Sequence, residues 1–364
     1  MSQEFDIKPE LGLAVGRFLY SQFFRTPPPP SQSFANQTVI VTGSNVGLGF
    51  EAARHFYRLN CAQLILAVRS VSKGETAKED IVRSVKHRTD ADAIQVWPLD
   101  LSSTESTLAF ADRVKTELPR VDVVVENAGI NNTTWVAVEN GWEQTIQVNV
   151  INTLLLALAL LPKLAQTKSE FPDSIPHLAI VSSEVHHFTK FVEANAPDIY
   201  ARLNDEKAFN GGDRYNVSKL LEVLFVRELV ARLNTAATNH STSTSAPTTS
   251  TSTSPVVITL VNPGLCVSQL DRDLPRPLQL VLGLLRLLVG RSTEVGSRTF
   301  VHAASAGPAS HGQFMSDGQN QDVESWIYSD TGRQVQKKVF DQTLKVLETR
   351  RPGLAESVGL TVRV

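Results

Sequence analysis

The segment VTGSNVGLGF, running from Val41 to Phe50, decides the fold. It places Gly43, Gly47 and Gly49 within seven residues, directly after the apolar pair Val39–Ile40. Glycine weakens both strands and helices, so such a cluster predicts that something must approach the backbone closely. The apolar run before the cluster and the helical pattern after it predict a turn from a strand into a helix.

Outward from this turn, apolar runs and helical patterns alternate along the chain. The predicted strands are TVIVTG, AQLILAV, AIQVWPLD, VDVVVENAG, HLAIVSS and VVITLVNPG. Runs rich in Val, Ile and Leu that alternate with helices indicate a parallel sheet buried on both faces. We therefore expect an α/β protein with a Rossmann-type, doubly wound parallel sheet. The sheet and its helices form a single domain over 34–349, closed by a surface turn at HGQFMSDGQNQD and followed by a tail at 350–364.

Composition narrows the class of protein. The chain has 364 residues, of which 42% are hydrophobic and 20% charged, with a net charge of −2. These values suit a globular protein with a substantial core, and they give no reason to expect a nucleic-acid partner. The two cysteines, Cys61 and Cys266, cannot form a disulfide framework, which favours a reducing, cytoplasmic environment. No apolar run reaches the roughly 18 to 20 residues of a membrane span.

Three segments stand outside the alternation. Residues 1–33 form an N-terminal extension, with a helical pattern at 11–24 and a proline-rich linker. We favour packing of that helix on the domain over attachment to a membrane surface. The Ser/Thr-rich segment 234–255 is too polar to offset its ordering entropy, which predicts a disordered surface loop. Leucine-rich helical material at 265–295 predicts burial against an apolar substrate, with ordinary packing or a dimer face as equal alternatives.

The glycine cluster points to a dinucleotide. Bare backbone lets a pyrophosphate approach, and a helix N-terminus supplies N–H groups and a positive dipole end. In NAD-binding versions an acidic residue lies about 20 residues beyond the glycines. Here Arg69 occupies that position, and no Asp or Glu occurs from Gln63 to Gly74. An arginine attracts a 2′-phosphate, so the sequence favours NADP(H), with Lys73 as a second candidate cation.

A tyrosine and a lysine mark the chemistry. The stretch YNVSK places Tyr215 and Lys219 four residues apart, on one face of a predicted helix. A phenol normally titrates near pH 10, and a neighbouring ammonium lowers that pKa towards neutral pH. The pair alone is weak, because two ordinary surface residues show the same spacing.

Six motifs in order resemble the short-chain dehydrogenase/reductase family. They are TGSNVGLG, ENAG, VNV, IVSS, YNVSK and NPG, and they cover about Gln37 to Ala304. The segments LAVRS, VSSEVHHF and NPGLCVSQL are most similar to the retinol-dehydrogenase-like branch and its fungal relatives. In ENAG, Glu126 replaces the first asparagine of the family motif. The resemblance therefore does not predict how the strand packs around this residue.

The resemblance implies four catalytic residues. Tyr215 is the general acid/base, and Lys219 lowers its pKa and binds the nicotinamide ribose. Ser183, chosen over Ser182, polarises the substrate oxygen. Asn149 holds a water that links Lys219 to solvent.

The resemblance also implies the cofactor contacts. The predicted NADP(H)-binding residues are Gly43, Ser44, Asn45, Gly47, Leu48, Gly49, Arg69, Asp100, Leu101, Asn127, Ala128, Gly129, Tyr215, Lys219, Pro263, Gly264 and Ser268. At Ser268 the family often has threonine.

The expected function is an NADP(H)-dependent interconversion of a carbonyl and an alcohol on a small to medium apolar molecule. The segment 184–214, between the serine and tyrosine motifs, is predicted to form a helical flap on the substrate pocket. His186 and His187 lie on it as pocket or surface residues, and no metal site is expected. A non-catalytic NADP-binding protein and an NAD-linked alcohol dehydrogenase remain alternatives. The family often pairs through its long helices, so a homodimer also stays open, as does peripheral membrane contact.

Overall fold

The architecture is a twisted sheet covered by helices. The structure, a computed structural model, describes residues 4–241, 254–267, 270 and 276–360. Within these ranges the strands form one sheet in the order β3-β2-β1-β4-β5-β6-β7-β8. Their bounds are β1 Thr38–Thr42, β2 Gln63–Val68, β3 Ile94–Pro98, β4 Val123–Glu126, β5 His177–Val181, β6 Val257–Asn262, β7 Phe314–Ser316 and β8 Gln319–Gln321.

All neighbouring strands are parallel except β8, which pairs antiparallel with β7. β1 lies between β2 and β4, so the strand order reverses there. This reversal leaves a crevice at the carboxyl ends of β1 and β4, the place where open α/β sheets bind ligands. The expected doubly wound parallel sheet is confirmed.

Helices cover both faces of the sheet. Their bounds are α1 Leu11–Phe24, α2 Gly47–Arg58, α3 Val71–Ser84, α4 Thr104–Glu117, α5 Gln144–Ile146, α6 Thr153–Glu170, α7 Ile199–Leu203, α8 Arg214–Ser241, α9 Arg276–Val289, α10 Thr293–Ala303, α11 Asp330–Arg350 and α12 Leu354–Ser357. Helices α2, α3 and α10 share one hydrophobic core, and α4, α6, α8 and α11 share the other. Alternate residues of β1 enter the two cores, Val39 and Val41 on one side and Ile40 on the other. The central strands are therefore apolar on both faces.

One helix within the described ranges is long and apolar enough to cross a membrane by length and composition. It runs from Gln144 to Glu170, and 83% of its most apolar window is buried inside the domain. Its apolar side chains pack against β4, β5 and α4. This burial identifies it as a core helix of the fold.

Several segments differ from the sequence-based expectations. The predicted surface turn near the end of the domain contains β7, which is buried and extends the sheet beside β6. Within the predicted tail, Leu354, Ala355 and Leu360 are buried in the core. Helix α8 continues to Ser241, eight residues into the predicted loop, and residues 242–253 lie outside the described part of the chain.

Two carboxyl groups are buried near the end of β4. Both carboxylate oxygens of Glu126 are buried with no hydrogen-bond partner among the described residues. Burial, with a smaller contribution from Glu222, raises the pKa of Glu126 well above its usual value. The strand is nevertheless intact, because Glu126 pairs in register with Ile180 of β5. A neutral carboxyl in place of asparagine is therefore compatible with the sheet.

This protonation predicts a pH-dependent stability. Below pH 4.5 both the folded and the unfolded chain hold the Glu126 proton, whereas above it only the folded chain does. The free energy of unfolding of the wild type should therefore fall relative to Glu126→Gln as pH rises, by up to about 1.4 kcal/mol per pH unit. Urea unfolding at pH 5 and pH 7 measures this difference.

The control is Glu75→Gln, which changes an exposed carboxyl on α3. It should show no comparable trend between the two pH values. A wild type that gains stability over Glu126→Gln on going to pH 7 would mean that Glu126 is ionised in the folded protein.

Candidate active site

A cavity of about 870 Å³ opens at the carboxyl ends of the first six strands. The residues expected to bind cofactor or substrate that line it are Gly43, Asn45, Gly47, Leu48, Arg69, Asp100, Leu101, Asn127, Ala128, Gly129, Ser183, Tyr215, Lys219, Pro263 and Gly264. Apart from Tyr215 and Lys219 on α8, these residues lie at six separate strand ends or just after them. The fold therefore gathers most of the predicted site around one space.

The glycine turn needs its glycines for two different reasons. Gly43 and Gly47 both have φ of +63°, the left-handed region that side chains disfavour. Gly49 lies on α2, where an added Cβ would come 2.4 Å from Asn127 Nδ2 and 2.6 Å from the Gly43 carbonyl oxygen. The first pair shapes the turn, and the third allows α2 to approach β4.

The segment after β4 braces this turn. Asn127 Nδ2 donates to the Thr42 carbonyl at 2.9 Å, and the Ala128 N–H donates to Thr42 Oγ1 at 2.9 Å. An added Cβ on Gly43 would lie 3.0 Å from the Ala128 Cα. The two strand ends are thus locked together, and the N-terminal end of α2 faces the cavity. A bare backbone turn at a helix N-terminus fits the pyrophosphate of a dinucleotide.

Two predicted cofactor residues within the described ranges, Ser44 and Gly49, do not line the cavity. The Ser44 side chain is fully buried, and its hydroxyl donates to the Val41 carbonyl at 2.9 Å. Gly49 acts through packing, as above. Ser268 lies outside the described residues.

Positive charge marks one end of the cavity. Arg69 follows β2 and Lys73 lies in the first turn of α3, and both side chains are exposed and line the cavity. Gly74 lets α3 lie close to the sheet, because an added Cβ would come 2.4 Å from Val96 Cγ1. The two cations therefore stand beside the carboxyl end of β2.

Tyr215 and Lys219 lie in the first turns of α8 and line the cavity. The ammonium of Lys219 lies 5.7 Å from the centre of the Tyr215 ring. It donates to the Val181 carbonyl at 2.8 Å and to Glu222 Oε1 at 2.7 Å. Burial raises the pKa of Glu222 to about 7, although the Lys219 charge acts to lower it. Glu222 was not predicted, although it lies three residues from Lys219 on one helix, a spacing that is visible in the sequence.

The two serines of IVSS have different environments. The Ser182 side chain is 2% exposed, and its hydroxyl donates to the Lys219 carbonyl at 3.2 Å. Ser183 is half-buried, and its oxygen accepts from the Val185 N–H at 3.3 Å. The Ser183 proton is not used in that contact. Ser183 is thus the better placed of the two to donate to a group in the cavity.

Asn149 lies behind the cavity wall. It belongs to a π-helical turn, Gln147–Asn152, which joins α5 to α6. Its side chain donates to the Ile130 carbonyl at 2.9 Å and to Ser218 Oγ at 3.0 Å, and it accepts from the Ile130 N–H at 2.9 Å. It therefore fixes the chain after β4 to α8. Turns of this kind occur frequently at functional sites.

Other cavity residues were not predicted. Glu184 lines the cavity directly after Ser183, and burial raises its pKa to about 7 with the Asp317 charge adding to the shift. Val15, Phe18 and Leu19 of α1 also line the cavity. Nothing in the local sequence indicates that the N-terminal extension reaches the site.

The segment 184–214 contains short helical turns and α7. Gly211 and Gly212, near the C-terminal end of this segment, line the cavity. The middle of the segment packs into the core through Ile199. His186 and His187 are buried, at 0% and 7% exposure, which corrects their expected place in the pocket or on the surface.

His187 Nδ1 forms a short contact with the Glu324 carboxylate, and His186 Nδ1 lies 2.7 Å from the Ser183 carbonyl oxygen. Both rings therefore serve to hold the turn that follows Ser183. Among the described residues no cluster of three or more His, Cys, Asp or Glu side chains could hold a metal ion.

The chain is similar to proteins of one known family. The short chain dehydrogenase family model matches residues 37–170. A short chain dehydrogenase/reductase from Cryptosporiopsis sp. is 43% identical over 93% of this chain and 99% of its own. A short chain dehydrogenase from Emericella nidulans is 41% identical over 83% of this chain and 90% of its own.

Solved structures show the same fold at low identity. A crystal structure of an uncharacterised protein from Mycobacterium paratuberculosis superposes with a TM-score of 0.58 at 23% identity, covering 92% of this chain and 97% of that one. The short chain dehydrogenase from Shigella flexneri gives a TM-score of 0.52 at 18% identity, covering 81% and 96%. With relatives above 40% identity over most of its length, the chain belongs to the short-chain dehydrogenase/reductase family of oxidoreductases, which bind a nicotinamide cofactor.

Proposed function

We propose that this protein is an NADP(H)-dependent oxidoreductase that interconverts a carbonyl and an alcohol on a small to medium, largely apolar molecule. The observation that carries the proposal is the convergence of Tyr215, Ser183 and Lys219 on the cavity formed by the glycine turn. A phenol, a hydroxyl and an ammonium at one wall are the groups that carbonyl reduction needs. The small-molecule substrate enters the same cavity.

In this proposal the chain's own residues handle the proton. Ser183 donates a hydrogen bond to the carbonyl oxygen, which draws electron density from the carbonyl carbon. Tyr215 Oη donates its proton to that oxygen as the carbon is reduced, and takes it back in the reverse direction. The nicotinamide, when bound, supplies or accepts the hydride.

Lys219 helps the Tyr215 phenol to release its proton. Its ammonium lies one helical turn from Tyr215 and favours the phenolate electrostatically. Val181 and Glu222 hold the ammonium by two hydrogen bonds, so it cannot turn away from the cavity without losing both. Asn149 links the segment after β4 to α8 by hydrogen bonds to the Ile130 carbonyl and Ser218 Oγ.

The central prediction concerns Tyr215. Tyr215→Phe removes the transferred proton and keeps the ring, so kcat with NADPH and a carbonyl panel should fall by about 10²- to 10⁴-fold. The Kd for NADPH, measured by fluorescence titration, should change little. Tyr328→Phe removes a hydroxyl from a half-exposed ring outside the cavity and serves as the matched control.

Unchanged turnover in Tyr215→Phe would reject the acid/base role. Tight NADPH binding by the wild type without turnover of any carbonyl would instead favour a non-catalytic NADP-binding protein.

The preference for NADP(H) rests on Arg69 and Lys73. A phosphate on the adenosine ribose would sit beside the carboxyl end of β2, where the two side chains line the cavity. The guanidinium of Arg69 can offer two parallel hydrogen bonds to such a phosphate. Residues 63 to 74 include no acidic side chain that could accept hydrogen bonds from the hydroxyls of an unphosphorylated ribose.

Arg69→Ala should therefore shift the cofactor preference. Loss of a charge-assisted contact worth about 1.5–3 kcal/mol raises the KM for NADPH roughly 10- to 100-fold, while the KM for NADH changes little. Lys86→Ala removes the same charge beyond the far end of α3 and should affect neither cofactor. Equal effects of Arg69→Ala on NADPH and NADH would show that Arg69 does not recognise the 2′-phosphate.

A further inference from the structure

The N-terminal helix α1 exposes apolar side chains towards the cavity. Val15 and Leu19 are 45% and 39% exposed, and both line the cavity together with Phe18. The three residues are spaced i, i+3 and i+4, so they lie on one face of the helix. An apolar face that opens into a binding cavity loses its contact with water when an apolar ligand enters.

Polar contacts fix α1 in this position at both ends. The Glu10 N–H, just before the helix, donates to Glu324 Oε1 at 2.8 Å. Near the other end, Ser21 Oγ donates to Asp317 Oδ1 at 2.9 Å. Gln22 Nε2 donates to the carbonyls of Leu265 and Val289, each at 3.0 Å. The helix is thus tied to the segments that follow β6 and β7.

The same contacts connect α1 to the catalytic wall. The helix packs against the turn Glu184–Phe188, which follows Ser183 directly. Glu324, which binds the Glu10 N–H, also contacts His187 within that turn. Leu265, whose carbonyl accepts from Gln22, lines the cavity as well. The apolar face of α1 therefore lines the same cavity as Ser183 and Tyr215.

We propose that Val15, Phe18 and Leu19 form a subsite for the apolar part of the substrate. The N-terminal helix then selects carbonyl compounds that carry a large alkyl or aryl group. Val15, Phe18 and Leu19 present only hydrocarbon to the cavity, so a polar group placed against them finds no hydrogen-bond partner among these three side chains. The inference rests on the proposed function, since the carbonyl lies at Ser183 and Tyr215.

The wild type should prefer longer substrates. Each methylene that the subsite buries raises kcat/KM about fourfold, the factor that corresponds to about 0.8 kcal/mol. We expect kcat/KM with NADPH to rise along the straight-chain aldehydes from propanal to decanal. The rise should end where the chain outgrows the cavity.

Phe18→Ala and Leu19→Ala test the subsite. Each should lower kcat/KM for decanal by about tenfold, mainly through KM, and change propanal by less than about twofold. Leu13→Ala and Phe24→Ala are matched controls, because both residues are exposed on α1, at 48% and 74%, and neither lines the cavity. The controls should leave both aldehydes unchanged.

Two further variants test whether the alanine substitutions act by disturbing helix α1. Phe18→Leu and Leu19→Met keep an apolar group of similar size, and they should retain most of the preference for decanal. An equal loss on propanal and decanal in the alanine variants, or no loss on either, would overturn the subsite. So would a loss in Leu13→Ala that matches the loss in Leu19→Ala.

Failure of the subsite and failure of the proposed function give different results. If decanal is reduced, Tyr215→Phe abolishes the reduction, and the α1 variants behave as the wild type, only the subsite is wrong. If no aldehyde is reduced, calorimetric titration with 1-octanol in the presence of NADP⁺ tests the subsite directly. Weaker octanol binding by Phe18→Ala supports it, whereas unchanged affinity, or no octanol binding by the wild type, overturns it.

Discussion

The position of the Lys219 ammonium constrains the whole site. It is held between the Val181 carbonyl at the end of β5 and the Glu222 carboxylate one turn along α8. A buried ammonium is stable only when its hydrogen bonds are satisfied, so these two contacts fix both the start of α8 and its distance from β5. Tyr215, one turn earlier on the same helix face, lines the same cavity as Ser183. The chemistry proposed here depends on this one arrangement more than on any other contact.

Local patterns were enough to predict six of the eight strands in the described ranges, and most of the residues assigned to the site line one cavity. The strands β1 to β6 lie within the apolar runs read from the sequence, since a strand buried on both faces needs such a run. The strands β7 and β8 were missed, because three residues each give no periodicity and their pairing depends on β6. The π-helical turn around Asn149 was also invisible, since it differs from an α-helix only in its hydrogen bonds.

Contacts distant in sequence account for what remained unpredicted. Gln22 and Leu265 are 243 residues apart, and Glu10 and Glu324 are 314 apart, yet these pairs carry α1 to the cavity. The amphipathic pattern of α1 indicates a helix, but it does not indicate which surface the helix covers. Likewise, Ser44 lies in the motif, and only the fold shows that its hydroxyl turns inward to Val41. Motif position and side-chain direction are separate pieces of information.

The buried charged groups also determine which substitution tests the chemistry without destabilising the fold. Burial, with a smaller contribution from Glu222, raises the pKa of Glu126 well above its usual value, and the Lys219 ammonium is hydrogen-bonded to Glu222. Removing Lys219 would leave Glu222 without its partner in a buried place, and the fold would lose stability at the same time as the site loses its cation. A loss of activity in such a variant would therefore mix two causes. Tyr215 is half-buried and its ring can be kept, so its hydroxyl can be removed with far less disturbance of the core.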